Sequence, residues 1–288
     1  MKKKSLALFA TDVGGAIQLF YFATNFPKFN EYKKFFFFKG DSKYLLKKNS
    51  IFNNNLNFDL VICATSMNDY EKKVINLAIK KKIENWVMLD NWTNYEKRLV
   101  FNGKLLIPNK LLVTDFYAKK LAIKHYPNVK TKQVPNYLLQ SLKIVRKNHK
   151  KKNSIKKVIF YSSPEVYPLG IDNNEKKKIK WQNAEESNLT REIEYILNTN
   201  LIKNKTRKLI VRLHPKMNYL RNKSSFKYKH IIERYGKKME NTLAQTDISV
   251  GKDTYALFLT KSLKIPTYSI VRGVHKRELT FPVSLMEL

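Results

Sequence analysis

An α/β protein made of two successive domains, each built on a parallel sheet, is the fold that this sequence predicts. Three observations predict it. Short apolar runs rich in Val, Ile, Leu and Phe recur through the 288 residues, a length that suits one large or two ordinary α/β domains. Most of the runs stop abruptly at Gly, Pro, Asp or Ser and give way to helical apolar spacing, the strand, turn and helix unit of a doubly wound sheet. The series is interrupted once, at residues 146–154 (RKNHKKKNS), a basic polar stretch with no apolar period. A linker is placed there, between Rossmann-like domains at 1–145 and 155–288 that face a common cleft.

In the first half, residues 6–10 read as a buried strand that runs into Asp12, Gly14 and Gly15 and then an apolar helix. The glycine pair lets the backbone approach a ligand closely but falls short of the full dinucleotide fingerprint, so NAD is not inferred. Asp12, at the mouth of this turn, is either a general base or acceptor-binding group or a helix cap, and the residues leave both open. Residues 32–38 and 59–64 are the next strands. The single cysteine, Cys63, lies in the latter and is expected to be a small buried hydrophobe. Tyr70, Val74, Leu77 and Ala78 are spaced for one helical face. A strand at 86–89 ends in Asp90, Asn91, Trp92 and Tyr95, which either contact a sugar or base or form a capped turn with packed aromatics. Residues 110–115 repeat the pattern with Asp115 at a helix start, and 132–136 close this half.

The second half opens with a strand at 157–161, and Ser162, Ser163 and Glu165 follow at its carboxyl end. They either contact donor or acceptor or form an unreactive Ser-Pro turn. Residues 188–197 are an amphipathic helix, and 223–236 are basic and partly helical, with His149 in the linker and His230 on the surface. The β-branched run at 209–213 is closed by His214 and Pro215, because proline has no N–H for a ladder. Arg212 and His214 thereby fall at a strand's carboxyl end, the side of an open α/β sheet where ligands bind. A further strand, containing Ser249, passes through Gly251 and Lys252 to Asp253 and Thr254, one of which caps a helix whose free N–H groups make a second anion site. Residues 265–271 read as the final strand, with the tail to Leu288 folding back toward the first domain.

The ordered pair of motifs, Arg212-Leu213-His214-Pro215 after a strand and then the Ser249, Gly251, Thr254 turn into a helix, followed by residues 264–268 (KIPTY), resembles the nucleotide-sugar half of GT-B glycosyltransferases. It is particularly similar to bacterial sialyltransferases of the lipooligosaccharide and capsule type. That resemblance covers roughly the last eighty residues and implies that His214 hydrogen-bonds the phosphate of a CMP- or CDP-linked donor, with Ser249, Asp253 and Thr254 near phosphate and nucleotide. UDP ranks behind these and NAD last. The acidic-acidic-Gly motif that carries the catalytic carboxylate in those enzymes has no counterpart, since Glu185-Glu186 lacks the glycine and lies in a helical stretch. Asp12 or Glu165 is left as the candidate base. The segments around Asp12, Asp90, Asp115 and Val134 also resemble uncharacterised bacterial proteins encoded among surface-glycan genes, which suggests a setting and no mechanism.

Charge narrows the partners. Lys and Arg number 56 against 23 Asp and Glu, a formal +33. Forty-seven of the 56 are Lys, scattered in pairs, and no nucleic-acid-binding motif accompanies them, so the surplus suits an anionic membrane surface or a phosphorylated glycan better than a sequence-specific duplex. Lysines 2–4 before a short apolar run imitate a signal peptide, but Asp12 ends the run too soon, and a cytoplasmic protein, peripheral at most at the inner membrane, is expected. The expected function is therefore a metal-independent glycosyltransferase acting on a nucleotide-sugar and a surface-glycan acceptor, with no cofactor. A nucleotide-sugar epimerase or hydrolase, and a non-catalytic glycan- or nucleic-acid-binding protein, are the alternatives.

Overall fold

The computed structural model describes residues 3–40, 42, 50, 52, 55–66, 69–90, 92–149, 155–164, 174–203, 206–234, 238–252, 254–275 and 285–288. Its chain contacts divide into two compact units, Met1–Gln140 and Ser141–Leu288. The first contains β1 (Lys4–Ala10), α1 (Val13–Asn25), β2 (Tyr32–Phe38), β3 (Leu60–Ala64), α2 (Asp69–Lys80), β4 (Asn85–Met88) and α3 (Tyr95–Arg98). It continues through β5 (Val100–Phe101), β6 (Lys104–Leu105), β7 (Lys110–Val113), α4 (Phe116–His125) and β8 (Thr131–Gln133) into α5 (Tyr137–Asn148).

Six of these strands form one parallel sheet in the order β2-β1-β3-β4-β7-β8. Period-two alternation assigns its two faces. Leu6, Leu8, Ala10, Leu60, Ile62 and Ala64 pack with Ala16, Leu19 and Phe22 of α1, while Ala7, Phe9, Val61 and Cys63 pack with residues of α2 and α4. Helices on both faces explain why β1 and β3 read as unbroken apolar runs. Strand order reverses between β1 and β3, and in such sheets the ligand crevice lies outside the carboxyl ends at that switch.

The second unit follows with β9 (Lys156–Tyr161), α6 (Glu175–Asn198), α7 (Asn200–Lys203), β10 (Arg207–Arg212), α8 (Met239–Gln245), β11 (Ile248–Gly251), α9 (Tyr255–Ser262), β12 (Thr267–Ser269) and β13 (Met286–Glu287). Its parallel sheet runs β10-β9-β11-β12-β13, so the reversal falls between β9 and β11. On one face Val158, Phe160, Leu209, Val211 and Val250 pack with Leu189, Ile193 and Ile196 of α6. The chain is thus an α/β protein of two Rossmann-like domains.

Three expectations change. Residues 146–148 end α5 instead of starting a linker, because Arg146 donates from Nη1 to the carbonyl of Thr246 at 2.8 Å and so ties the helix end to the segment after α8. The described end of the tail joins the second unit's own sheet. Met286 and Glu287 pair with Tyr268 and Ser269, so the strand expected to be final is covered by β13. Within 223–236 the described residues hold only a short 3-10 turn, Lys229–Ile231, with His230 exposed. Among the described residues no helix is long and apolar enough to cross a membrane.

Candidate functional site

At the switch point of the first unit, β1 ends at Ala10 and α1 begins at Val13. A Cβ on Gly15 would stand 2.8 Å from the Cβ of Ala64 at the end of β3, so only glycine lets the helix start sit this close to the sheet. Asp12 occupies the N-cap position, is exposed, and makes no side-chain cap bond. Its carboxylate therefore lies at the carboxyl-terminal edge of the sheet. Asp90 backs the same turn: its Oδ2 is 3.5 Å from the Cβ positions of Gly14 and Gly15, where the positive end of α1 favours an anion. The other oxygen accepts from Arg98 Nη1 at 2.6 Å, and Arg98 also donates to Thr65 Oγ1 at 2.6 Å and the Thr93 carbonyl at 2.8 Å. Asp90 is consequently a clamp inside the fold. Tyr95 is buried at 2 % exposure, and Trp92 Nε1 donates to Asp115 at 3.1 Å, so these aromatics resolve as architecture. Asn91 lies outside the described residues.

A carboxylate that the periodicity conceals completes this edge. Glu71, on the buried face of α2 at 1 % exposure, accepts from the Thr11 amide and hydroxyl at 2.7 Å each and from Ser66 Oγ at 2.8 Å. Burial raises its pKa, and the bonds from Thr11 and Ser66 only partly offset that rise. Glu71 thus pins the turn that presents Asp12. An acidic residue in the first turn of a helix reads as ordinary dipole complementarity, so the sequence carried no signal for this contact.

In the second unit His214 follows β10 and starts the 3-10 segment Pro215–Arg221. Its Nδ1 accepts from the Lys216 amide at 3.3 Å. Burial, aided by the Lys216 charge, lowers its pKa to about 4, so near neutral pH the imidazole is uncharged and its one proton is on Nε2. Ser162 sets the backbone: its hydroxyl accepts from the His214 amide at 3.0 Å, and its own amide donates to the Arg212 carbonyl at 3.0 Å. Ser162 is 4 % exposed, which makes it a positioner of His214, whereas Ser163 beside it is half-buried. Arg212, expected to meet an anion, directs Nη1 to the carboxylate of Glu233 and, at 2.8 Å, to Thr242 Oγ1.

Gly251 closes β11 where a Cβ would meet the Tyr161 carbonyl at 3.1 Å and Leu257 at 3.2 Å, so this turn too depends on a missing side chain. Thr254 is the N-cap of α9, half-buried, with no side-chain cap bond. Ser249, expected near the phosphate, is corrected: it is 0 % exposed, and its hydroxyl accepts from Thr260 at 3.1 Å on the inner face of the sheet. Period two places Ser249 and Gly251 on that same face, but only the strand end opens outward. Lys252 turns inward as well, with Nζ 2.7 Å from Glu192 Oε1, and His275 Nε2 meets the same oxygen at 2.9 Å. Glu165 and Asp253 lie outside the described residues. Glu185 and Glu186 sit within α6, and Glu186 pairs with Lys223, away from any strand end. Among the described residues no three His, Cys, Asp or Glu side chains are grouped to hold a metal.

No family model matches the chain, and no curated protein matches it in sequence. Solved structures do match in shape. Staphylococcus aureus MnaA, in a co-structure with UDP, superposes with a TM-score of 0.60 at 11 % identity, over 99 % of this chain and 85 % of that one. A UDP-N-acetylglucosamine 2-epimerase gives 0.56 at 12 % identity over 93 % and 79 %. The wall teichoic acid polymerase TagF gives 0.56 at 11 % identity over 98 % and 74 %. At these identities the likeness is one of fold: an α/β chain of two Rossmann-like domains.

Proposed function

We propose that this chain is a nucleotide-sugar enzyme of glycan biosynthesis, and that its reaction is glycosyl transfer to a surface-glycan acceptor. The observation that carries the reading is His214. Its proton is assigned to Nε2 at the carboxyl end of a parallel strand, so the ring can donate to a diphosphate or phosphate oxygen without titrating near neutral pH. The start of α9 at Thr254, next to the switch between β9 and β11, supplies N–H groups for the same anion. In the transfer, the acceptor hydroxyl attacks the anomeric carbon while the bond to the nucleotide's phosphate oxygen breaks. Asp12, exposed at the first unit's switch point, takes the hydroxyl proton, with Glu165 the other candidate; His214 and α9 stabilise the departing phosphate charge. These groups perform the step without a divalent ion. A sialic-acid-like donor on CMP, or a CDP-linked one, ranks first on the His-Pro resemblance.

Epimerisation of the donor sugar is the second reading, and the match to MnaA and to a 2-epimerase favours it. One experiment separates them. Thermal melts with CMP, CDP and UDP, in chelator and at physiological salt, identify the nucleotide, because a ligand at a hundredfold excess over its Kd stabilises by about 2.7 kcal/mol. Incubation with the matching sugar conjugate, followed by NMR, then reads the chemistry. A C2 epimer formed without acceptor replaces transfer by epimerisation. No shift with any nucleotide defeats both, as does a His214→Ala protein that stays folded and binds equally well; the loss expected for one such bond is about 1.5–3 kcal/mol of affinity.

A further inference from the structure

The first unit carries a basic cavity. It has a volume of about 330 Å³ and lies between the end of α1 and residues of β4, β7 and the segment Lys130 to Val134 that contains β8. Its floor includes Phe26 and Trp86, and Lys28, Lys110, Lys130 and Lys132 line it. The ammonium groups are gathered over the rings: Lys110 Nζ is 4.4 Å and Lys28 Nζ 5.6 Å from the centre of Trp86, and Lys132 Nζ is 5.8 Å from that of Phe26. Among the described residues Glu84, 3.2 Å from Lys110, is the one carboxylate paired with any of the four. Trp86 Nε1 donates to that same carboxylate at 2.9 Å, which fixes the ring beneath the lysines.

Four like charges around one cavity repel, and cation–π contacts at exposed positions offset only part of that repulsion. A multivalent anion that bridges the ammonium groups removes that repulsion, whereas a neutral sugar does not. We infer that this cavity binds a multiply charged phosphate, free or as part of a phosphate-bearing polymer, at a site separate from the one that holds the nucleotide. The surplus positive charge of the chain then has a defined seat, and the enzyme has a hold on an anionic product or acceptor away from its chemistry.

The test uses tripolyphosphate as probe, titrated calorimetrically into the folded parent protein and three variants at about 0.1 M salt, where the screening length is about 10 Å. Lys28→Gln/Lys130→Gln/Lys132→Gln should weaken binding about tenfold or more, and the charge-matched control Lys97→Gln/Lys104→Gln/Lys124→Gln less than about twofold. The binding component lost in the first triple should persist in His214→Ala. In a Trp92→Phe/Trp181→Phe background, emission from Trp86 should respond to the probe, which tests the site without the lysine variants. Equal weakening in both lysine triples would assign binding to diffuse charge and overturn the site. Loss in His214→Ala would move the phosphate to the nucleotide position. Binding only to phosphatidylglycerol vesicles, and not to tripolyphosphate, would make the patch a membrane contact and overturn the proposal equally.

Discussion

His214, half-buried after the end of β10, and Glu71, buried on α2, are titratable groups that bend the stability curve in opposite directions. The folded imidazole has its pKa lowered to about 4 from 6.5, so the unfolded chain binds the extra proton between those values. Stability from this group is complete above pH 6.5 and is lost as pH falls toward 4. For a fully buried group the loss is ~1.4 kcal/mol per pH unit in the window, and partial exposure reduces it to about 1 kcal/mol. Glu71 has a raised pKa in the fold, so its contribution is present below the unfolded value of 4.5 and is lost as pH rises through the folded one. Urea denaturation at pH 7 and pH 5 checks both signs. Relative to the parent, His214→Gln should gain stability on acidification and Glu71→Gln should lose it. A pH-independent difference for either variant would mean that its parent residue is solvated and not held as described.

At the scale of elements, the approach of α1 to β3 is decided by one missing methyl group. Gly15→Ala would set two Cβ atoms 2.8 Å apart, closer than packed carbons tolerate, and the helix start or the strand must yield. The expected cost is about 1–3 kcal/mol of stability, and Asp12 moves with the helix. Ala64→Gly removes the opposing carbon, so the double variant should regain most of that stability. Chemical denaturation of the four proteins in the cycle measures the coupling, and additive costs would show that the contact is not the cause. The helix itself was legible from the apolar spacing of residues 16–23. That its start abuts Ala64 and Asp90 was not, because those partners are 49 and 75 positions along the chain from Gly15.

For the whole molecule, the formal charge of +33 sets a repulsion that every compact state must bear. Raising salt from about 10 mM to about 200 mM shortens the screening length from about 30 Å to below 10 Å, so the thermal midpoint should rise, and a flat or falling midpoint would show that the lysines are locally compensated. The same two concentrations distinguish ligands. Binding that tracks phosphates along a nucleic acid weakens steeply across this range, while a nucleotide held in the way proposed above, by neutral His214 and the start of α9, should lose far less.

Short apolar runs and their punctuation by glycine and proline determined, by themselves, the strands of both sheets except β13, most helices, the two-part α/β fold and the place of His214 at a strand end. These are local properties: period two and period 3.6 act over a few neighbours and survive without knowledge of the partner. Only the tertiary structure decided which polar groups are spent internally. Arg212 is taken by Glu233, Lys252 by Glu192, Asp90 by Arg98 and Thr11 by Glu71, and Ser249 is turned into the core. A buried charge must find an opposite charge or several hydrogen bonds wherever the fold brings them, and that partner is chosen by sheet order, not by distance along the chain.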